Sequence, residues 1–174
     1  TTSTSVLPAT VVGETLLPTS TVPATTTTEA PPDGPISVLL LGDSTAERLA
    51  GGLDAWGAKR ADRRVASLAE SGCGVIRGTQ LLGDDGGNFV SRCDETFRKD
   101  LPAALALGVP DVVVILVSIP DVTQRLWVGS EGMLSPTDPR YRERQLADYR
   151  TTAQLLVDAG VRHIAWVVPA APAD

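Results

Sequence analysis

The stretch that decides the fold is SVLLLGDSTAERL, residues 37–49. It begins as a short apolar run bounded by turn residues, which is typical of a buried parallel strand, and then shows helical spacing of apolar residues. Ser44 therefore lies at a strand-to-helix corner, where free backbone N–H groups and the helix dipole favour a developing negative charge. Gly42 allows a tight turn beside it. Because Ser is also a favoured N-cap residue, the alternative interpretation is that Ser44 only caps the helix.

Strand and helix patterns alternate from Ile36 onward. This alternation indicates a parallel sheet covered by helices on both faces, so the predicted fold is α/β, a three-layer α/β/α sandwich. On the last predicted helix we expect Leu146, Tyr149, Ala153 and Leu156 to share the buried face. The predicted strands are 37–41, 64–68, 111–117 and 163–168, and the predicted helices are 46–56, 94–107 with a bend at Pro102, and 139–160 after an N-cap at Asp138.

Composition divides the chain into a predicted stalk, residues 1–35, and a domain, residues 36–174. The stalk is rich in Thr and Pro, and such a disordered linker is typical of segments outside the cytoplasm. The alternative is that the sequence boundary lies in ordinary disorder, which would say nothing about location. The net charge of −6 argues against nucleic-acid binding. No apolar run approaches the length of a membrane span. The chain lacks an initiating Met, so we expect a piece of a longer protein.

Two cysteines, Cys73 and Cys93, are present. In an exported domain they would form a disulfide worth about 3 kcal/mol, and two buried thiols are the alternative. We find no metal-ligand spacing and expect no cofactor. Residues 83–88 (GDDGGN) carry acidic side chains but lack the alternating pattern of a calcium loop, so we predict a flexible turn there.

Four blocks of the chain carry a family resemblance. They are residues 42–44 (GDS), followed by Thr45 where Leu is common, residues 71–75 (SGCGV), residues 110–111 (PD) before a strand, and residues 159–169 (AGVRHIAWVVP). Together they resemble the SGNH (GDSL-like) hydrolases, most closely the SGNH domains fused to bacterial membrane acyltransferases. The resemblance implies a flavodoxin-like sheet, here incomplete at its C-terminal end.

The resemblance also implies site residues. Ser44 would be the nucleophile, with its own N–H and that of Gly72 as oxyanion donors, whereas Asp43 is not the family's catalytic acid. The family's Gly-x-Asn-Asp block reads SIPD at residues 118–121, and Pro120 offers no donor. Ser118, or a backbone N–H beyond Pro120, is the candidate substitute donor. Asp121 is a candidate for orienting this loop, or a plain turn residue.

A serine nucleophile needs a general base, usually a His oriented by a carboxylate. The family's Asp-x-x-His block is absent from this chain. His163 is the only histidine, and it begins its strand, so a strand length of roughly 17–20 Å should separate it from Ser44. We therefore predict a structural role for His163. We expect that the chain stops before the acid–base block and is inactive alone; lost catalysis with a retained pocket is the alternative.

The function that we predict is that of a serine esterase or O-acyltransferase domain. It would act outside the cytoplasm, at the cell surface, on acyl esters of glycans, tethered to an upstream membrane domain. A non-catalytic module that binds carbohydrate or a protein partner is the alternative. A nucleotide-binding domain is disfavoured because the first strand-to-helix turn lacks a Gly-x-Gly-x-x-Gly run.

Overall fold

A computed structural model of the protein describes residues 34–78, 80–81 and 88–167. The predicted stalk lies outside these residues except for positions 34 and 35, and the predicted turn at 83–88 lies outside them except for Asn88. The chain forms six strands and four α-helices within the described part. These are β1 (Ile36–Gly42), α1 (Ser44–Ala58), β2 (Arg63–Ala69), β3 (Gln80–Leu81), α2 (Asn88–Glu95), α3 (Leu101–Leu107), β4 (Val112–Leu116), β5 (Arg125–Leu126), α4 (Pro139–Asp158) and β6 (His163–Val167).

Four of the strands form one parallel sheet in the order β2-β1-β4-β6. Gly42, the last residue of β1, pairs with Ala69 of β2 on one side and with Leu116 of β4 on the other. The chain therefore leaves β1 toward β2 and later crosses to the opposite side, which places a topological switch point between β1 and β4. This confirms the predicted α/β fold and its flavodoxin-like strand order.

Helices cover both faces of the sheet. Alternate residues of β1 point to opposite faces, so each face carries its own apolar cluster. On one face Leu40 and Leu116 pack against Ala46 of α1. The other face carries the larger core, in which Leu39 and Leu41 meet α3 and α4. The apolar side chains of this core are Leu39, Leu41, Val75, Phe97, Leu101, Leu105, Val113, Ile115, Val117, Leu156 and Val161.

The helix ends follow the local sequence. Asp138 caps α4 by accepting a hydrogen bond from Arg140 N–H at 2.8 Å, and Gly160 follows the helix with a φ of +89°, a conformation that favours glycine. The predicted bend at Pro102 takes the form of a π-helical segment, Thr96–Asp100, directly before α3. Pro102 cannot donate the regular helical hydrogen bond, and the helical pitch changes just before it. None of the described helices combines the length and the apolar character that a membrane crossing requires.

Candidate active site

The corner that carries Ser44 is built by Gly42 and Asp43. The N-cap of α1 is Asp43, whose side chain accepts from Thr45 N–H at 2.8 Å, so Ser44 is the first helical residue and not the cap. Gly42 has a φ of +149°, and a Cβ there would lie 1.8 Å from the Leu116 carbonyl oxygen. A side chain at position 42 would push β4 away from the corner, which explains the need for glycine.

The Asp43 carboxylate, which is fully buried, also ties the corner to the end of β4. Its Oδ2 accepts from Ser118 N–H at 2.6 Å and from the Ser118 hydroxyl at 2.7 Å. Because the one hydroxyl proton of Ser118 is used here, the 3.1 Å contact between Thr45 Oγ1 and Ser118 Oγ has Thr45 as its donor. Both donors of Ser118 thus point at Asp43. In this arrangement Ser118 does not offer the substitute oxyanion donor that the sequence suggested.

Two backbone donors at the same edge are unused. Within the described part of the chain, neither the half-buried Ser44 nor Gly72 has an acceptor for its N–H, and Ser44 Oγ has no hydrogen-bond partner. Gly72 has a φ of +80° and follows the end of β2, just as Ser44 follows the end of β1. Free N–H groups at a helix N-terminus and in a neighbouring turn suit an oxyanion that develops on an acyl carbonyl.

Asp121 is buried at 2 % exposure beneath the loop that contains Gly72. Its Oδ1 accepts from Ile76 N–H at 3.1 Å, and its Oδ2 accepts from the Tyr149 hydroxyl at 2.9 Å. Burial raises the pKa of the Asp121 carboxyl above its ordinary value, while the hydrogen bonds from Ile76 N–H and Tyr149 oppose that rise. The side chain therefore contacts residues 75–76, which belong to a different loop from the one at residues 118–121 that the sequence predicts it to orient.

Further contacts hold the rest of that loop. Cys73 and Cys93 form a disulfide, with their Cα atoms 5.1 Å apart. The buried Arg125 guanidinium donates to the Ile76 and Pro120 carbonyl oxygens, each at 2.8 Å. Arg77 N–H donates to Asp148 Oδ2 at 2.7 Å. Residues 73–77 are thus fixed by a covalent bond at one end and by charge-assisted hydrogen bonds along their length.

His163 lies at the amino ends of the strands, whereas Ser44 lies at their carboxyl ends. It begins β6, pairs with Val112 at the start of β4, and donates its backbone N–H to the Asp111 carbonyl oxygen at 3.1 Å. The five residues of β6 separate it from the edge that carries Ser44, a span of about 17 Å. His163 and Ser44 are therefore too far apart to exchange a proton directly.

The described residues include no cluster of His, Cys, Asp or Glu side chains that could hold a metal ion. A cavity of about 630 Å³ lies between residues 129–134 and the first half of α4, and neither Ser44 nor Gly72 lines it. Ser44 lies where the carboxyl ends of three neighbouring strands meet, the position at which parallel sheets bind ligands.

The sequence pattern does not indicate that Tyr149 or Arg125 belongs to this site. Periodicity predicts Tyr149 in the core, and its ring does contact Trp166, with the ring centroids 4.7 Å apart. A buried Tyr or Arg needs a polar partner, which is the one signal that could have drawn attention to them.

Comparison with known proteins adds to this geometry. No curated protein matches the sequence at a significant level. Residues 16–173 match the family described as SGNH domain (fused to AT3 domains), and this match spans nearly the whole chain. The match agrees with the parallel sheet and with a Gly-Asp-Ser corner at its switch point. The chain belongs to the family of SGNH domains that occur fused to AT3 acyltransferase domains.

Proposed function

We propose that this domain cleaves or transfers acyl groups of cell-surface glycans outside the cytoplasm, through an acyl-enzyme on Ser44. The observation that carries the proposal is the set of unpaired groups at one sheet edge: Ser44 Oγ, Ser44 N–H and Gly72 N–H. A nucleophile and two free backbone donors, all at the carboxyl ends of neighbouring strands, make up the set of groups that acyl transfer requires.

The reaction runs in two steps. Ser44 Oγ forms a bond to the acyl carbon, its proton passes to a general base, and the ester C–O bond breaks as the leaving alkoxide takes that proton. Water or a sugar hydroxyl then attacks the acyl carbon and gives its proton to the base. The bond between the acyl carbon and Ser44 Oγ breaks, and Ser44 Oγ takes that proton from the base. The N–H groups of Ser44 and Gly72 stabilise the oxyanion in both steps.

The general base in this proposal lies outside the 174 residues. The only histidine, His163, begins β6 at the far edge of the sheet. The chain alone is therefore proposed to be inactive, and the acid–base pair is supplied by another part of a longer protein. Robust turnover by the 174-residue chain that depended on Ser44 would contradict this step.

Two features support action outside the cytoplasm. The disulfide between Cys73 and Cys93 is a bond that persists in oxidising compartments and is rare in the cytosol. Residues 1–35 are rich in Thr and Pro, a composition suited to an extended tether between a membrane domain and its surface partner.

The test is active-site labelling. The chain, extended along its native reading frame, is treated with a fluorophosphonate probe as wild type, as Ser44→Ala and as Ser71→Ala. Ser71 is an exposed serine beside Gly72 and serves as the matched control. We expect labelling and acyl-ester turnover in wild type and Ser71→Ala but not in Ser44→Ala. Turnover that persists in Ser44→Ala would overturn the proposal.

A binding module on the same fold is the second candidate. It is favoured by position 120, where Pro has no donor, and by Ser118, whose donors are bound to Asp43. It predicts a folded, unlabelled extended protein that binds acylated glycans equally well as wild type and as Ser44→Ala, measured by calorimetry.

A further inference from the structure

The loop from Gly72 to Gly78 is held by the buried Asp121 carboxylate and by Tyr149, which donates to it. Asp121 Oδ1 accepts from Ile76 N–H at 3.1 Å, and Val75 N–H also points at this carboxylate. The loop comes so close that a Cβ on Gly74 would lie 1.7 Å from Asp121 Oδ1. The carboxylate and the loop backbone thus meet without any intervening side chain, and a movement of Asp121 must move the loop.

The other carboxylate oxygen is held by α4. Tyr149 donates its hydroxyl to Asp121 Oδ2 at 2.9 Å, and Gln145 donates its amide to the Asp121 carbonyl oxygen at 3.1 Å. The Tyr149 ring is itself fixed against Trp166 of β6. A continuous set of contacts therefore runs from the last strand of the sheet through Tyr149 and Asp121 to the loop.

This arrangement is not what stability alone would select. Burying a carboxylate costs free energy, and apolar side chains of similar volume often stabilise a core as well or better. The carboxylate orients the loop backbone, because it accepts from Ile76 N–H and has Val75 N–H directed at it, which together favour one orientation of these two peptide planes. Gly72 lies three residues before the first of them, next to the disulfide-bonded Cys73.

We propose that Tyr149 and Asp121 are positioning residues that set the loop of residues 72–78, and with it the Gly72 N–H, against Ser44. The inference rests on the proposed function, in which Gly72 N–H is an oxyanion donor. Neither side chain touches the reacting atoms. They set the orientation of the Gly72 N–H, and this orientation affects the stabilisation of the transition state more than it affects substrate binding.

The first test uses the 174-residue chain and does not depend on any activity. Backbone amide exchange is measured by NMR in wild type, in Tyr149→Phe and in Thr152→Val. Tyr149→Phe keeps the ring against Trp166 but removes the hydrogen bond. The control changes a buried residue of the same helix whose hydroxyl has no hydrogen-bond partner in the described part of the structure. Loss of a bond to a charged group predicts about tenfold faster exchange at Val75 and Ile76 in Tyr149→Phe only.

Asp121→Asn is the second variant, and it covers the case in which Tyr149→Phe does not fold. A neutral amide oxygen is a weaker acceptor than a carboxylate, so the same two amides should exchange about fivefold faster. Wild-type exchange at Val75 and Ile76 in either folded variant would overturn the inference.

The second test uses the extended protein and its acyl-ester turnover. We expect kcat of Tyr149→Phe to fall about five- to tenfold with KM unchanged, and Thr152→Val to match wild type. Turnover that is lost in Ser44→Ala but has a wild-type kcat in Tyr149→Phe would overturn this inference and leave the proposed function standing. Turnover that survives Ser44→Ala would overturn the proposed function, while the amide exchange result would still decide whether the pair positions the loop.

Discussion

Asp43 provides the sharpest test of how the corner is held together. Asp43→Ala removes the N-cap of α1 and leaves Ser118 N–H and the Ser118 hydroxyl without their acceptor. Loss of a cap costs about 1 kcal/mol. Because Ser118 is half-buried, water recovers part of the loss there, and its orphaned donors add roughly 1–2 kcal/mol. We expect the free energy of unfolding to fall by roughly 2–3 kcal/mol in total.

The chain contains its own control for this prediction. Asp138 caps α4 with the same 2.8 Å hydrogen bond but lies nearer the surface, and among the described residues its side chain bonds only to Arg140. Urea denaturation of both Ala variants gives the two losses in free energy, provided that the slope with denaturant is unchanged. An equal loss in Asp43→Ala and Asp138→Ala would refute the idea that Asp43 joins β1 to β4. In a double-mutant cycle, Asp43→Ala and Ser118→Ala should cost less together than the sum of their separate effects.

Three further predictions concern stability. Gly42→Ala should prevent folding, because the new methyl group meets a backbone carbonyl oxygen at 1.8 Å, whereas Gly51→Ala in the open middle of α1 should stabilise the protein by about 0.5–1 kcal/mol; circular dichroism and urea melts distinguish the two. Hydrogen bonds from Ser37, together with Arg162, lower the pKa of Asp111 from 3.8 to about 2. A carboxyl with a depressed folded-state pKa stabilises the fold above its unfolded pKa, so roughly 2 kcal/mol should be lost as the pH falls from about 4 to 2, and Asp111→Asn should flatten that part of the pH–stability curve. Replacing Cys73 and Cys93 by Ser should cost about 3 kcal/mol in the chain-entropy model, and reduction of wild type should reproduce the loss in thermal melts.

The elements that could be predicted are those whose signals are local. The apolar run before Gly42 and the cap at Asp138 both depend on residues within a few positions of each other, and the structure has the expected strand and helix there. The buried face of α4 was predicted less well. Leu146 is 44 % exposed, whereas Gln145 faces inward and bonds to the Asp121 carbonyl oxygen. A polar residue can lie inside when a distant partner satisfies it, and periodicity does not reveal that partner.

The candidate site also combines features that local signals predict with contacts between distant residues that they do not predict. Ser44 and Gly72 are at the expected edge because the carboxyl ends of parallel strands must meet there. The role of Ser118 was not predictable, because it depends on a contact with Asp43 across 75 positions of sequence. The sequence predicts Ser118 as a free donor, whereas in the fold its N–H and its hydroxyl both donate to Asp43.

The order of the strands has a consequence for how the corner forms during synthesis. β1 and β2 are close in sequence and can pair early, but β1 lies at the centre of the sheet only after β4 has joined its other side. The loop closed by Asp43 and Ser118 spans 75 positions, and contacts of such separation carry a high entropic cost and slow folding. Ser44 is therefore synthesised well before Ser118, and its surroundings are completed only after residue 118 has emerged.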